Sequence, residues 1–78
     1  MNAYQTALAR FLDRSDVKQD DIAEKAKVSQ AAVNRYAKGK RFPNAETAKA
    51  IHEATSGAVP FELWQRVAAE RFGIAEAA

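Results

Sequence analysis

The first candidate for chemistry is a face of hydrogen-bonding side chains near the middle of the chain. Its members recur at spacings of three and four residues: Gln30, Ala31, Asn34, Arg35 and Lys38. That spacing places them on one face of a helix. Glutamine can bond adenine through two hydrogen bonds, arginine can bond guanine in the same way, and alanine leaves room for a thymine methyl group. The face therefore suits base reading in a major groove, although an ordinary solvent-exposed helix has a similar composition.

A run of positive charge surrounds this face. Six cations and no carboxylate lie between residues 25 and 41: Lys25, Lys27, Arg35, Lys38, Lys40 and Arg41. The net charge of the whole chain is only +2, so the excess is local. Such a density favours a polyanion such as a phosphate backbone, the alternative being a solvated charged face.

No residue set in the sequence indicates catalysis or metal binding. His52 is the only histidine, and with Glu46 and Glu53 but no cysteine it makes a poor zinc site. Asp20 and Asp21 are adjacent, so their side chains diverge by about 100° on a helix and do not share a catalytic proton. The sequence has neither a glycine-rich phosphate loop nor a Ser-His-acid set. We therefore expect a protein that is not an enzyme and uses no metal and no cofactor.

Length and composition indicate one small helical domain. The chain has 78 residues, of which 47% are apolar, and 18 residues are alanine. Abundant alanine, scarce glycine and the lack of a sustained alternating pattern favour helices throughout. We expect a single domain over residues 1–73 and a frayed tail over residues 74–78. The sequence shows neither a secretory leader nor a membrane-spanning stretch, so a cytoplasmic protein without membrane contact is expected.

Five helices are predicted to position these residues. They run from about residue 3, after the cap Asn2, to 14, from 19 to 26, from the cap Ser29 to 38, from the cap Asn44 to a stop at Gly57, and from Pro60 to 71. A turn of three or four residues separates the second helix from the third, which is helix-turn-helix spacing. Apolar side chains are predicted to pack these two helices against each other: Ile22, Ala26, Val28, Val33 and Tyr36. The polar face of the third helix then points outward.

Several residues of this segment match one known pattern: Gln19, the pair Ile22-Ala23, Val28-Ser29-Gln30, Val33, Tyr36 and Gly39, followed by Arg41-Phe42-Pro43. In these residues the chain resembles the DNA-binding domains of lambdoid phage repressors and Cro proteins. The likeness covers residues 1 to about 57, and residues 54–59 look like the end of small Cro-like regulators that also occur as prophage antitoxins. The resemblance implies an all-α, five-helix lambda-repressor-like domain that binds double-stranded DNA and regulates transcription.

The resemblance also implies roles for individual residues. Three would face base edges, with a fourth available to bases or phosphate: Gln30, Ala31 and Arg35, and then Asn34. Phosphate contacts would come from five side chains and the start of the fourth helix: Gln19, Ser29, Lys38, Lys40, Arg41 and the region of Asn44.

Two positions depart from the family pattern. Lys27 stands where the family usually has glycine, so we expect either that it adopts a positive φ at a cost of about 1 kcal/mol or that the turn is slightly remodelled. A lysine there also offers a further phosphate contact. Lys18 replaces the usual Ser or Thr cap of the second helix and has no acceptor, which leaves Asp16 or Asp21 as substitutes.

The fifth helix carries more large apolar surface than a short terminal helix can hide, including Phe61, Trp64, Val67 and Ala68. Two interpretations remain open, core packing and a symmetric dimer contact anchored by Phe61 and Trp64. A small DNA reader needs a dimer because one helix reads too few base pairs. The sequence therefore predicts a Cro-like repressor that binds a near-palindromic operator as a homodimer. The alternative is an antitoxin-like protein whose fifth helix binds a toxin-like partner and which autoregulates its operon.

Overall fold

A computed structural model describes residues 1–72 of the chain. Over these residues the protein consists of five α-helices and no strand: α1 (Ala3–Arg14), α2 (Gln19–Ala26), α3 (Gln30–Ala37), α4 (Ala45–Ala54) and α5 (Phe61–Phe72). The predicted all-α, five-helix architecture is confirmed. The largest difference in bounds is at the end of α4, where regular helix stops before the predicted Gly57. The end of the predicted domain at residue 73 and the predicted frayed tail over 74–78 lie outside the described residues.

Polar side chains cap the starts of three helices. Each accepts a hydrogen bond from the backbone amide three residues further on, Asn2 at 2.9 Å, Ser29 at 3.0 Å and Asn44 at 2.8 Å. A cap of this kind contributes about 1 kcal/mol relative to alanine. The three predicted caps are confirmed, and α1, α3 and α4 begin where the local sequence dictates.

Both ends of α2 depart from the usual pattern. At its start the Asp21 carboxylate accepts a hydrogen bond from the Lys18 amide at 2.9 Å, and so supplies the acceptor that the lysine lacks. At its end Lys27 has φ 57° and ψ 42°, which confirms the predicted left-handed residue. The next amide, that of Val28, donates to the Ala23 carbonyl at 3.0 Å and closes the helix. The turn between α2 and α3 is thus made without glycine, at a cost of about 1 kcal/mol.

One apolar core connects all five helices. Its largest fully buried members include Tyr4, Leu8, Ile22, Val33, Ile51 and Val59. Ile22 of α2 and Val33 of α3 belong to the same cluster, and Val67 joins it from α5. Burial of these side chains therefore holds α2 and α3 in a fixed relation, which sets the direction of the polar face of α3.

An aromatic cluster attaches α5 to the rest of the domain, and it consists of Tyr4, Phe42, Phe61, Trp64 and Phe72. The Phe42 ring stacks on Trp64 with centroids 5.7 Å apart. Tyr4 and Phe72 meet Phe42 edge-on at 6.1 Å and 6.0 Å. Phe61 also stacks on Trp64, with ring centroids 5.4 Å apart. These contacts support core packing as the main role of the apolar side chains of α5.

Two residues predicted to contact a second chain are placed differently. Val67 and Ala68 are only 6% and 5% exposed and lie inside the domain. Their assignment to a dimer or partner contact is therefore wrong, because the face of α5 that carries them packs against α1 and α4. Phe61 and Trp64 are partly buried, whereas Phe72 is 58% exposed. The outer edge of the aromatic cluster is the part of α5 that a partner could reach.

Candidate nucleic-acid interface

The polar face of α3 is exposed because its apolar face is held in the core. Three buried residues line the inner side of the helix: Val33, Tyr36 and Ala37. On the outer side Gln30, Ala31 and Arg35 are exposed, and Asn34 is half-buried. The fold therefore separates the two faces as the spacing predicted.

The four predicted base-contacting residues lie together. They line one open depression with a residue from the first turn of α2: Gln30, Ala31, Asn34 and Arg35, joined by Gln19. The lining combines amide donors and acceptors with the five donors of a guanidinium group. Such a surface can match the donor and acceptor pattern of base edges in a major groove.

Ser29 and Asn44 combine helix capping with a remaining donor. The Ser29 hydroxyl oxygen accepts from the Ala32 amide, so its hydrogen is available to a phosphate oxygen. Asn44, an exposed residue, accepts through its amide oxygen, which leaves its amide nitrogen as a donor. The start of α4 adds the partial positive charge of a helix N-terminus. Both residues therefore keep the capacity for the phosphate contacts predicted for them.

The loop between α3 and α4, residues 38–44, carries three exposed cations, Lys38, Lys40 and Arg41. Gly39 turns the chain with φ 75°. The amides of Lys40 and Arg41 both donate to the carbonyl of Arg35, at 2.9 Å and 3.3 Å. These hydrogen bonds join the cations of the loop directly to the backbone of the predicted base-reading residue.

Lys27 lies in a second group of candidate phosphate contacts. It lines a depression between the end of α2 and the start of α4, together with Lys25 and Asn44. Glu46 lines the same depression and brings a carboxylate to it. Of the predicted phosphate-contacting residues, Lys27 and Asn44 line this depression, Gln19 lines the depression on α3, and Lys38, Lys40 and Arg41 lie in the α3–α4 loop.

α1 adds an acidic residue that the sequence did not single out. Asp13 lines a depression with Gln19, Asn34 and Lys38, next to the face of α3. A carboxylate close to Lys38 offsets part of the positive charge that would attract phosphate. Nothing in the local sequence indicates this proximity, because it depends on how α1 packs against α3.

The α3–α4 loop is held by Gln5 and Trp64, two residues for which this role was not predicted. The side-chain amide of Gln5 donates to the Arg41 carbonyl at 2.7 Å. The indole N–H of Trp64 donates to the Pro43 carbonyl at 2.8 Å. Gln5 is a polar residue on the apolar face of α1, three residues before Leu8, and that position was the available signal. The indole bond joins segments 21 residues apart, so no spacing rule could find it.

His52 and Tyr4 carry titratable side chains that are held by contacts within the domain. The His52 imidazole accepts a hydrogen bond from the Phe61 amide at 3.0 Å and so caps α5. Burial raises the pKa of the Tyr4 phenol, and Tyr36 adds to the rise. Within residues 1–72 no group of three or more His, Cys, Asp or Glu side chains is arranged to hold a metal ion. Over the same residues, none of the helices has the length and apolar character to span a membrane.

The fold and the exposed face of α3 define a helix-turn-helix domain. The model of the Helix-turn-helix family that includes lambda-repressor- and Cro-like domains matches residues 8–56, more than half of the chain. The chain belongs to this family, and it is a DNA-binding transcription regulator. Members of the family are generally not enzymes. Searches of curated protein sequences and of solved structures found no match.

Proposed function

We propose that the protein is a Cro-like repressor that binds a near-palindromic operator as a homodimer, with α3 of each copy in a major groove. The observation that carries this proposal is the depression that brings Gln30, Ala31, Asn34 and Arg35 together beside the start of α2. Exposed cations precede and follow α3 along the chain, in the turn after α2 and in the α3–α4 loop. Base-reading groups and phosphate-binding groups are thus side by side, as groove binding requires.

Sequence choice in this proposal depends on few side chains. Arg35 donates two hydrogen bonds to guanine, Gln30 bonds adenine, and Ala31 admits a thymine methyl group. Asn34 lies where it serves either a base or a nearby phosphate. The register on the duplex comes from the phosphate contacts of Gln19, Lys27, Ser29, Lys38, Lys40, Arg41 and Asn44, which carry no sequence information.

A second copy is needed because α3 has only eight residues and spans few base pairs. A two-fold dimer places two such helices about 34 Å apart, in successive major grooves. The exposed ring of Phe72, which meets Phe42 edge-on, and the partial exposure of Phe61 and Trp64 support a contact at the outer edge of the aromatic cluster. A toxin-like protein on this same edge is the alternative, in which DNA binding serves autoregulation.

Repression in this scheme follows from occupancy of the operator, which blocks polymerase access. No cofactor, metal or chemical step is required. We accordingly infer a cytoplasmic regulator of phage or prophage origin whose operator occupancy depends on its own concentration.

The proposal is tested by selecting bound duplexes from a randomised DNA pool, with the wild-type protein and with Arg35→Ala in parallel. We expect an inverted repeat from the wild type, and a loss of preference at one base pair of each half-site from the variant. A single half-site without symmetry would argue against the homodimer. Failure of the wild type to enrich any sequence at moderate salt would overturn the proposal and direct attention to a protein partner of α5.

A further inference from the structure

The backbone of the α3–α4 loop is held from two sides by side chains of distant helices. From α1 the Gln5 amide nitrogen donates to the Arg41 carbonyl at 2.7 Å, and from α5 the Trp64 indole donates to the Pro43 carbonyl at 2.8 Å. The loop is therefore fixed at two of its carbonyls, although the side chains of Lys40 and Arg41 extend into solvent.

Gln5 is itself held in one orientation. It is only 2% exposed, and its amide oxygen accepts a hydrogen bond from the Asn2 side chain at 2.7 Å. Asn2 in turn caps α1 by accepting from the Gln5 backbone amide at 2.9 Å. The Met1 side chain lies across the same loop, since its Cγ is 2.8 Å from the position that a Cβ on Gly39 would occupy. The first turn of α1 and the loop therefore form one connected unit.

We propose that Gln5 is a positioning residue for DNA binding, which holds the Arg41 carbonyl so that Lys40 and Arg41 are placed in advance for phosphate contact. This inference rests on the proposed function. Without this bond Lys40 and Arg41 would no longer be held at the phosphates, so phosphate contacts would be lost and the complex would be weaker and less sensitive to salt. Since the loop contacts phosphate and no base, the effect is the same on every DNA sequence.

The test is the affinity of Gln5→Met for a duplex of random sequence at 50 mM and at 200 mM salt. Methionine has a similar length and no donor. We expect Gln5→Met to bind about three- to tenfold more weakly than the wild type at 50 mM salt. Each lost phosphate contact is expected to reduce the ratio of the affinity at 50 mM to the affinity at 200 mM by about 3.5-fold. The matched control is Gln65→Met, the same substitution on the exposed side of α5, which is expected to bind as the wild type does.

Two further measurements separate positioning from a purely structural role. In a Lys40→Ala/Arg41→Ala background, Gln5→Met is expected to have no additional effect on the salt ratio, because the groups it positions are gone. A structural role would lower the unfolding midpoint and leave the salt ratio of the folded protein unchanged, and that result would overturn the inference. If Gln5→Met does not fold, Gln5→Asn replaces it, since this shorter amide stays polar but does not reach the Arg41 carbonyl.

The outcomes also distinguish this inference from the function on which it rests. Salt-dependent DNA binding by the wild type, together with an unchanged salt ratio in either Gln5 variant, overturns the positioning role alone. Absence of salt-dependent binding by the wild type overturns the proposed function and the positioning role together.

Discussion

Removing the hydroxyl group of Tyr4 is expected to stabilise the protein. Tyr4 is fully buried, and its oxygen has no hydrogen-bond partner within the described part of the chain. A buried hydroxyl in that state costs about 1–3 kcal/mol. The void left by Tyr4→Phe is on the order of 10 Å³, which costs about 0.2 kcal/mol. The expected net gain is about 1–3 kcal/mol, and each kcal/mol raises the Tm of a domain of this size by about 4–8 °C.

The same hydroxyl group makes the stability depend on alkaline pH. Burial raises the pKa of the Tyr4 phenol above its ordinary value of about 10. At a pH between the pKa of Tyr4 in the unfolded protein and its pKa in the folded protein, the folded state keeps a proton that the unfolded state releases. The contribution of this group to stability is therefore fully present below about pH 10 and is lost as the pH rises above it. At pH 11 the loss is on the order of 1 kcal/mol relative to pH 8, and Tyr4→Phe does not have it.

Urea unfolding followed by circular dichroism at pH 8 and pH 11 measures both effects. The matched control is Tyr36→Phe, a second tyrosine that is 5% exposed. We expect only Tyr4→Phe to raise the free energy of unfolding at pH 8, and its advantage over the wild type to grow at pH 11. A Tyr4→Phe protein less stable than the wild type at pH 8 would refute the reasoning, since the hydroxyl would then have a partner such as a buried water.

Three further predictions concern the turn, α5 and the face of α3. Lys27→Gly relieves a φ of 57° and is expected to raise the free energy of unfolding by about 0.5–1 kcal/mol in urea titrations; an unchanged value would show that the turn is not strained. Trp64→Phe loses the hydrogen bond to Pro43 and is expected to cost about 1–2 kcal/mol of stability in urea titrations; an unchanged stability would show that this bond does not hold the loop to α5. Arg35→Ala is expected to cost about 1–3 kcal/mol of operator binding and to relax one base pair, whereas Lys40→Ala weakens binding to all duplexes and lowers the salt slope by about one; equal effects of the two variants in DNA titrations would contradict base reading by Arg35.

Features that depend on residues close in sequence could be predicted. Ser29 and Asn44 cap their helices through amides three residues away, so the start of each helix is a local property. The left-handed Lys27 followed from the resemblance to the helix-turn-helix family, in which glycine is usual at this position of the turn. The exposed face of α3 followed in the same way from helical spacing and from the apolar residues opposite it.

Features that depend on contacts between distant segments could not be predicted. The apolar pattern of α5 shows which residues share a face, but not which face meets the core, so Val67 and Ala68 were assigned to a surface that they do not occupy. The Phe42 ring comes from the α3–α4 loop and stacks on Trp64, and the sequence of α5 alone does not indicate this contact. Asp13 belongs to the same class, because it reaches the neighbourhood of Lys38 only through the packing of α1.

In the proposed interface, Arg35 would connect the two kinds of DNA contact through different atoms. Its side chain lies in the depression on α3, whereas its carbonyl accepts the amides of Lys40 and Arg41. A substitution of the side chain leaves the carbonyl in place, so the loop keeps its position when the base-reading group is removed. Loss of the Gln5 bond has the opposite effect, because it frees the loop and leaves the guanidinium group where it was. We therefore expect sequence preference and phosphate binding to be joined through the backbone of the domain and yet to change separately on mutation.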